Sequence, residues 1–239
     1  MPSRNRQRPP RPTLVEEAAF WRQGLRHVAG LDEAGRGAWA GPVVAAAVIL
    51  PPDPLRLRRH LAEVRDSKQL PPAARERLLE AIQAVALGVG VGMASAEEID
   101  ALGILAATRL AMTRALAALP LPPQALVIDA LPLPVPLPQR SRVGADAHCL
   151  SVAAASIVAK VTRDRWMQAM EKRYPGYGFA QHKGYGTPAH RRALEARGPC
   201  PIHRRSFGPV QEAAQALRRR WDADDGKDAP CAWPWSTTG

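Results

Sequence analysis

The chain has 239 residues, 46% of them hydrophobic, and a formal net charge of +11; this length supports one sizeable core, and the arginine-dominated charge fits a polyanionic partner without distinguishing one from simple solubility. Cys149, Cys200 and Cys231 stand far apart with no C-x-x-C pair, which excludes a disulfide framework and zinc-ligand spacing. No stretch approaches the roughly 20 apolar residues of a membrane span and the start lacks the apolar run of a signal peptide, so a cytoplasmic protein with no membrane contact is expected.

In chain order, residues 1–25 begin rich in arginine and proline and read as a basic flexible arm, either touching phosphates or solvated. From Arg26, "RHVAGLD" reads as a strand and "PVVAAAVIL" as a second, paired with it as in a hairpin. The apolar spacing of Leu78, Leu79, Ile82 and Val85 predicts a helix over 73–86. "LGVGVGMA" then reads as a strand whose alternating Gly88, Gly90 and Gly92 suggest one face that something approaches closely. Ser95 with Glu98 three positions on is an N-cap signature opening one long helix to about residue 119. "ALVIDA" is a short buried strand, "LPLPVPLPQ" an extended connector, and "HCLSVAAASIVAKVTRDRWMQAMEKRY" a small-residue helix that becomes charged toward its end. Further helices are expected near 188–197 and 209–221, before a frayed tail. This order of strands and helices fits a mixed sheet covered by helices.

Asp32, Glu33, Asp129 and Asp146 each follow or end an apolar stretch, where a carboxylate is costly unless neutralised. A hard divalent cation neutralises such groups through oxygen ligands, and two such ions beside a polyanion serve phosphoryl hydrolysis. A single acid of this kind more often caps a helix or strand end; four in such settings favour a shared site. If the first strand ends at Asp32, Glu33 is released from the strand alternation and both adjacent acids can face one site, with Gly35 and Gly37 permitting the turn. Phosphate-loop readings fail: "GLDEAGRGA" lacks the lysine-serine/threonine pair, and "GRGAWAG" runs into Pro42 and a strand.

"GLDEAGRGAWAGPVVAAAV", "DSKQL", "VID", "SVAAASIVAKVTRD", "GFAQHKGYGT" and "HRRSFGPV" together, in this order, resemble bacterial ribonuclease HII over about Val28 to Val210. The resemblance implies an α/β, ribonuclease H-like fold, a five-stranded mixed sheet flanked by helices with a C-terminal helical extension. The catalytic domain would span 26–210, with a terminal helix and disordered tail over 211–239. It implies an endoribonuclease that cleaves the RNA strand of RNA–DNA hybrids and nicks duplex DNA 5′ to embedded ribonucleotides, and nothing in the sequence demands more than a monomer. The products would carry 3′-hydroxyl and 5′-phosphate ends, the cofactor would be Mn2+ or Mg2+, and the roles would be ribonucleotide removal in DNA repair and primer removal in replication. Asp32, Glu33, Asp129 and Asp146 match the four family acids; Asp32 is expected to bridge the ions, Asp129 and Asp146 to hold one each, and Glu33 to add an oxygen or orient a water.

By the same resemblance, Gly35, Arg36 and Gly37 would present backbone N–H groups to the ribose 2′-hydroxyl, and Tyr185 would pack on the following sugar. Ser67, Lys68, Lys160, Arg163 and Lys183 would lie near the substrate backbone and hold phosphates, while Ala153, Ala154, Ala155 and Ser156 allow close helix packing. The chain departs from the family pattern at Ala130, where glycine is usual, and at Gly144-Ala145, where lysine-glycine is usual, removing one positive charge beside Asp146. A ribonuclease HIII-like enzyme would carry G-T-G and a sizeable N-terminal domain, for which the 31 residues before Asp32 leave no room. The remaining alternative is a non-catalytic nucleic-acid-binding protein on a nuclease scaffold.

Overall fold

The computed structural model describes residues 11–223. They divide into two compact units, where one domain is expected from length. The first comprises the described residues up to Ala34, Val44–Met93 and Thr108–Arg163; the second comprises Gly35–Val43, Ala94–Ala107 and the described residues from Asp164.

The first unit is built on a sheet of order β3-β2-β1-β4-β5. Its strands are β1 (Val28–Ala34), β2 (Val43–Ile49), β3 (Gly88–Ala94), β4 (Ala125–Asp129) and β5 (Gln139–Arg142). β1 pairs antiparallel with β2, as the two apolar runs predict, and parallel with β4, which in turn lies parallel to β5. β5 follows the proline-rich connector, beginning at its last residue, Gln139; its residues are polar and mostly exposed, so it carries no apolar periodicity. Helix α1 (Val15–Trp21) precedes the sheet, and α2 (Pro54–His60) and α3 (Pro72–Val85) follow β2. The predicted face of α3, with Leu78, Leu79, Ile82 and Val85, is buried.

Helix α1 corrects the arm expected over 1–25. Phe20 and Glu17 are buried on it, and the chain before it is tied down by bonds from the Thr13 amide to the His148 carbonyl and from the Leu150 amide to the Thr13 carbonyl. Residues 1–10 of that arm, and the tail from 224 on, lie outside the described residues.

The long helix expected from Ser95 is two: α4 (Ala96–Leu102) and α5 (Ile104–Ala117), separated by Gly103 at φ 77°, a left-handed geometry that ends a helix. The Ser95–Glu98 capping box is present in both directions. The alternating glycines of β3 meet the backbone of α5: a Cβ on Gly90 would stand 2.1 Å from the Ala115 carbonyl oxygen, and one on Gly92 2.2 Å from that of Ala111.

Helix α6 (Leu150–Arg173) begins in the first unit, where Ser151, Ala153, Ala154, Ala155, Ser156 and Ala159 are buried. A Cβ on Gly30 of β1 would come within 2.3 Å of the Ser151 carbonyl carbon, so helix and strand touch backbone to backbone. Glu17 caps the same turn, accepting hydrogen bonds from the Ser151 amide (2.9 Å) and hydroxyl (2.7 Å). Burial raises the pKa of Glu17 above the usual carboxylate value although both Ser151 bonds oppose it.

The second unit holds α4, the later part of α6, α7 (Phe179–His182), α8 (Pro188–Arg197) and α9 (Gly208–Ala223). Tyr177, Phe179, Met167 and Cys200 form one buried cluster and Leu194, Val210 and Ala213 another. Among the described residues no helix is long and apolar enough to cross a membrane.

Two opposite stability changes follow. Gly30→Ala should lower unfolding free energy by about 1–3 kcal/mol, because a backbone neighbour cannot swing aside, and a denaturant melt measures it. Ala130 sits at φ 56°, a left-handed conformation that costs an L-residue about 1 kcal/mol or more. Ala130→Gly should therefore raise the melting temperature by a few degrees, about 2–4 °C for a chain of this size.

Candidate active site

The last register pair of the parallel β1–β4 ladder is Leu31 with Ile128. The next residue on each strand is an acid, Asp32 on one and Asp129 on the other, so the two carboxylates arise at equivalent positions on adjacent strand ends. β1 does not end at Asp32 as expected: it runs to Ala34, with Asp32 paired to Ala46 and Glu33 to Ala45 of β2. Glu33 thus stays in the ladder, and its amide donates to Asp32 Oδ1 at 2.7 Å, taking a carboxylate where β4 no longer supplies a partner. Asp146 lies in the 3-10 turn Ala145–Ala147, whose first amide donates to Asp129 Oδ1 at 2.9 Å. Gly144 enters that turn at φ 74°.

Asp32 and Asp146 are 4% and 5% exposed, too little for water to screen their charge. Burial, then the charges of Glu33, Asp129 and Asp146, push the Asp32 carboxyl well above its usual range. Asp146 is raised too, by burial and then by Asp66, with Lys68 opposing. The Lys68 ammonium stands 3.8 Å from Asp146 Oδ2. Burial works against the ammonium, but Asp146, Asp66, Asp32 and Asp129 outweigh it and hold its pKa above the ordinary lysine value. Lys68 is thus a positive charge standing beside Asp146.

Asp66 is the acid missed by reading the sequence. It caps the 3-10 turn Ser67–Gln69, accepting from the Lys68 amide at 2.9 Å, and its charge is among the causes that raise the Asp146 pKa. The signal was its place at the head of "DSK", one residue before those singled out.

The donor set is all carboxylate oxygen, buried and mutually repelling, which is the chemistry a hard divalent cation satisfies. As the side chains stand, no group of three or more His, Cys, Asp or Glu among the described residues is arranged to hold a metal ion.

Of the expected phosphate contacts, Lys68, Lys160 and Lys183 are at least partly exposed, and the Lys183 ammonium donates to the Ala180 carbonyl. Two are corrected. Ser67 is buried and its hydroxyl accepts from that of Ser156 at 2.7 Å, fastening the DSK turn to α6. Arg163 is fully buried in α6, so its guanidinium is not presented to a phosphate.

In the second unit, Gly35 has φ 98° and a Cβ on Gly37 would meet nothing within 4 Å. The loop that follows β1 is stitched to the Tyr185 turn: the amides of Trp39 and Ala40 donate to the Gly184 carbonyl at 2.8 and 3.3 Å. A Cβ on Gly184 would lie 2.4 Å from the Ala40 carbonyl oxygen, and Lys183 before it adopts φ 52°. Gly35, Arg36, Gly37 and Tyr185 therefore belong to one unit. Reading the sequence also missed Arg204, which is fully buried and donates to the carbonyls of Gly35 (2.7 Å), Arg36 (2.8 Å) and Gly41 (3.0 Å); "HRRSFGPV" contained it without marking its direction.

Residues 29–210 match the ribonuclease HII family. The chain is 58% identical over 197 residues to a ribonuclease HII of Thermus thermophilus, covering 82% of this chain and 93% of that protein. It is 57% identical over 209 residues to ribonuclease HII of Chloroflexus aurantiacus, with 87% and 99% covered. The crystal structure of ribonuclease H2 from Pyrococcus horikoshii OT3 superposes with a TM-score of 0.68 at 28% identity, over 80% of this chain and 99% of that one. With a sheet of this order, acids at its paired strand ends and identity running through nearly the whole length of these relatives, the chain belongs to the ribonuclease HII family and is a ribonuclease H enzyme.

Proposed function

We propose that the enzyme cleaves the RNA strand of RNA–DNA hybrids and nicks duplex DNA 5′ to an embedded ribonucleotide, by hydrolysis with two divalent ions, Mn2+ or Mg2+. The products carry 3′-hydroxyl and 5′-phosphate ends. The observation that carries this reading is the emergence of Asp32 and Asp129 side by side beyond the Leu31–Ile128 pair, with Asp146 tied to Asp129 through the Ala145 amide. Asp32, Glu33, Asp129 and Asp146 would hold the ions, which when bound supply charge neutralisation and Lewis acidity at the scissile phosphate.

The chain's own groups prepare that step. Asp32 lies where its charge is least tolerated without a cation. Asp129 is oriented by the Ala145 amide. Lys68 balances Asp146 and, being exposed, would also meet a phosphate. Backbone amides around Gly35–Gly37 would read the 2′-hydroxyl, which glycine permits by close approach, and the Tyr185 ring would pack on the neighbouring sugar.

Asp32→Asn should reduce cleavage of a duplex carrying one ribonucleotide by about a thousandfold or more while hybrid binding is retained. The same variant should melt higher than the wild type in EDTA at neutral pH. A carboxyl whose folded pKa is raised favours folding only at low pH, and that contribution is lost as pH rises, so an uncharged isostere removes a neutral-pH penalty. Added Mn2+ should raise the wild-type melting temperature more than that of the variant. A fully active Asp32→Asn enzyme would contradict the assignment, and a wild-type protein that binds but never cuts with Mn2+ would favour the non-catalytic reading.

Tyr185→Ala should cut activity on a single embedded ribonucleotide by about tenfold to a hundredfold, the scale of one lost stacking contact. Steady-state kinetics on that substrate check it.

A further inference from the structure

Two buried groups in the second unit, adjacent in sequence, point at different halves of the segments read above as ribose sensors. Arg204 spends three donors on three carbonyls of the 35–41 loop and stacks on the Phe207 ring with 5.2 Å to its centroid. Its own amide donates to the Trp39 carbonyl at 2.8 Å. A loop that turns its carbonyls inward to one rigid fork has its peptide planes fixed, and therefore the directions of its N–H groups.

His203 does the corresponding work for Tyr185 through a second ring. The Cys200 amide donates to His203 Nδ1 at 2.9 Å, which assigns the ring proton to Nε2. That nitrogen lies 3.1 Å from His190 Nε2, and His190 Nδ1 lies 3.0 Å from the Tyr185 carbonyl. One consistent chain of donors results: Cys200 N–H to His203, His203 to His190, His190 to Tyr185. His182 stacks on His190 with centroids 4.4 Å apart, and Phe179 and Tyr177 close the cluster. Burial first of all depresses the pKa of His190 to about 4 and of His203 to about 3, so both rings are neutral at neutral pH, as the donor chain requires.

The turn carrying both residues is itself anchored, because Asp100 of α4 accepts from the amides of Arg205 and Ser206 and from the Ser206 hydroxyl at 2.6–2.8 Å. We propose that Arg204 and the His203–His190 pair are positioning residues for ribonucleotide selectivity, the arginine fixing the Gly35–Arg36–Gly37 backbone and the imidazoles fixing Tyr185, so that one dipeptide sets both. This rests on the reading of those segments as the 2′-hydroxyl sensor.

The test is a ratio. Cleavage (kcat/KM) is measured on duplex DNA with one ribonucleotide and on the same duplex with 2′-fluoro at that position, with Mn2+ present. Destabilisation alone lowers the amount of folded enzyme equally for both substrates and leaves the ratio unmoved, so even a partly folded preparation reports it. Arg204→Lys, which keeps the charge but not the fork, and His190→Asn should each lower the wild-type preference for the ribonucleotide by about tenfold or more, the scale of a slight misplacement of a binding group. Ile82→Ala, a cavity in the core of the first unit, should lower the melting temperature and leave the ratio unchanged. An unchanged ratio in both Arg204→Lys and His190→Asn overturns the proposal while the reading of the loop stands. A wild-type enzyme with no preference between the two substrates overturns the reading itself, and the proposal with it.

Discussion

Two parallel strands that stop pairing at the same level, each followed at once by an aspartate, impose the constraint from which the first unit is built. Equivalent register leaves Asp32 and Asp129 no freedom to be far apart, and burial removes the water that would screen them. The fold therefore carries mutual repulsion at the ends of two interior strands, and burial and this repulsion both raise the Asp32 pKa. Such a cluster persists only if the packing around it is strong enough to hold the charges in place.

The packing that holds it is unusually close. Gly30, two residues before Asp32, lets α6 meet β1 backbone to backbone at Ser151, and the small residues of α6 continue that approach along the helix. Glu17 reaches over from α1 to satisfy the first turn of α6. Ser156 then fastens the DSK turn, so the same helix that packs against the strand of Asp32 also positions Lys68. One face of one helix thus serves both the apolar core and the charge balance of the site.

Much of this was legible in the residues. The β1–β2 pair, α3 with its four buried apolar positions and the capping box before α4 follow from periodicity and local hydrogen-bonding chemistry. The four acids stood out because charge at the end of an apolar run needs a reason. What escaped depended on contacts distant in sequence. β5 is polar and pairs only through its backbone. α1 is short and its anchor, Glu17, has its partner 134 residues away. Arg204 looked like one more surface cation in an arginine-rich chain until the carbonyls 163 to 169 residues before it supplied its meaning. The strand bounds misled in one respect: Glu33 remains in the ladder instead of being released, since β2 continues opposite it after β4 has stopped.

The DSK turn sets the charge balance around Asp146. A lysine two residues before the fourth acid would add a local positive charge; here Gly144-Ala145 leave the residues beside Asp146 without one, and the nearby cation is Lys68 from the DSK turn. Lys68 brings Asp66 with it, and the two act on Asp146 in opposite directions. An acid held between Asp66 and a largely exposed Lys68 at 3.8 Å keeps a raised pKa, and its cation is free to exchange one anionic partner for another.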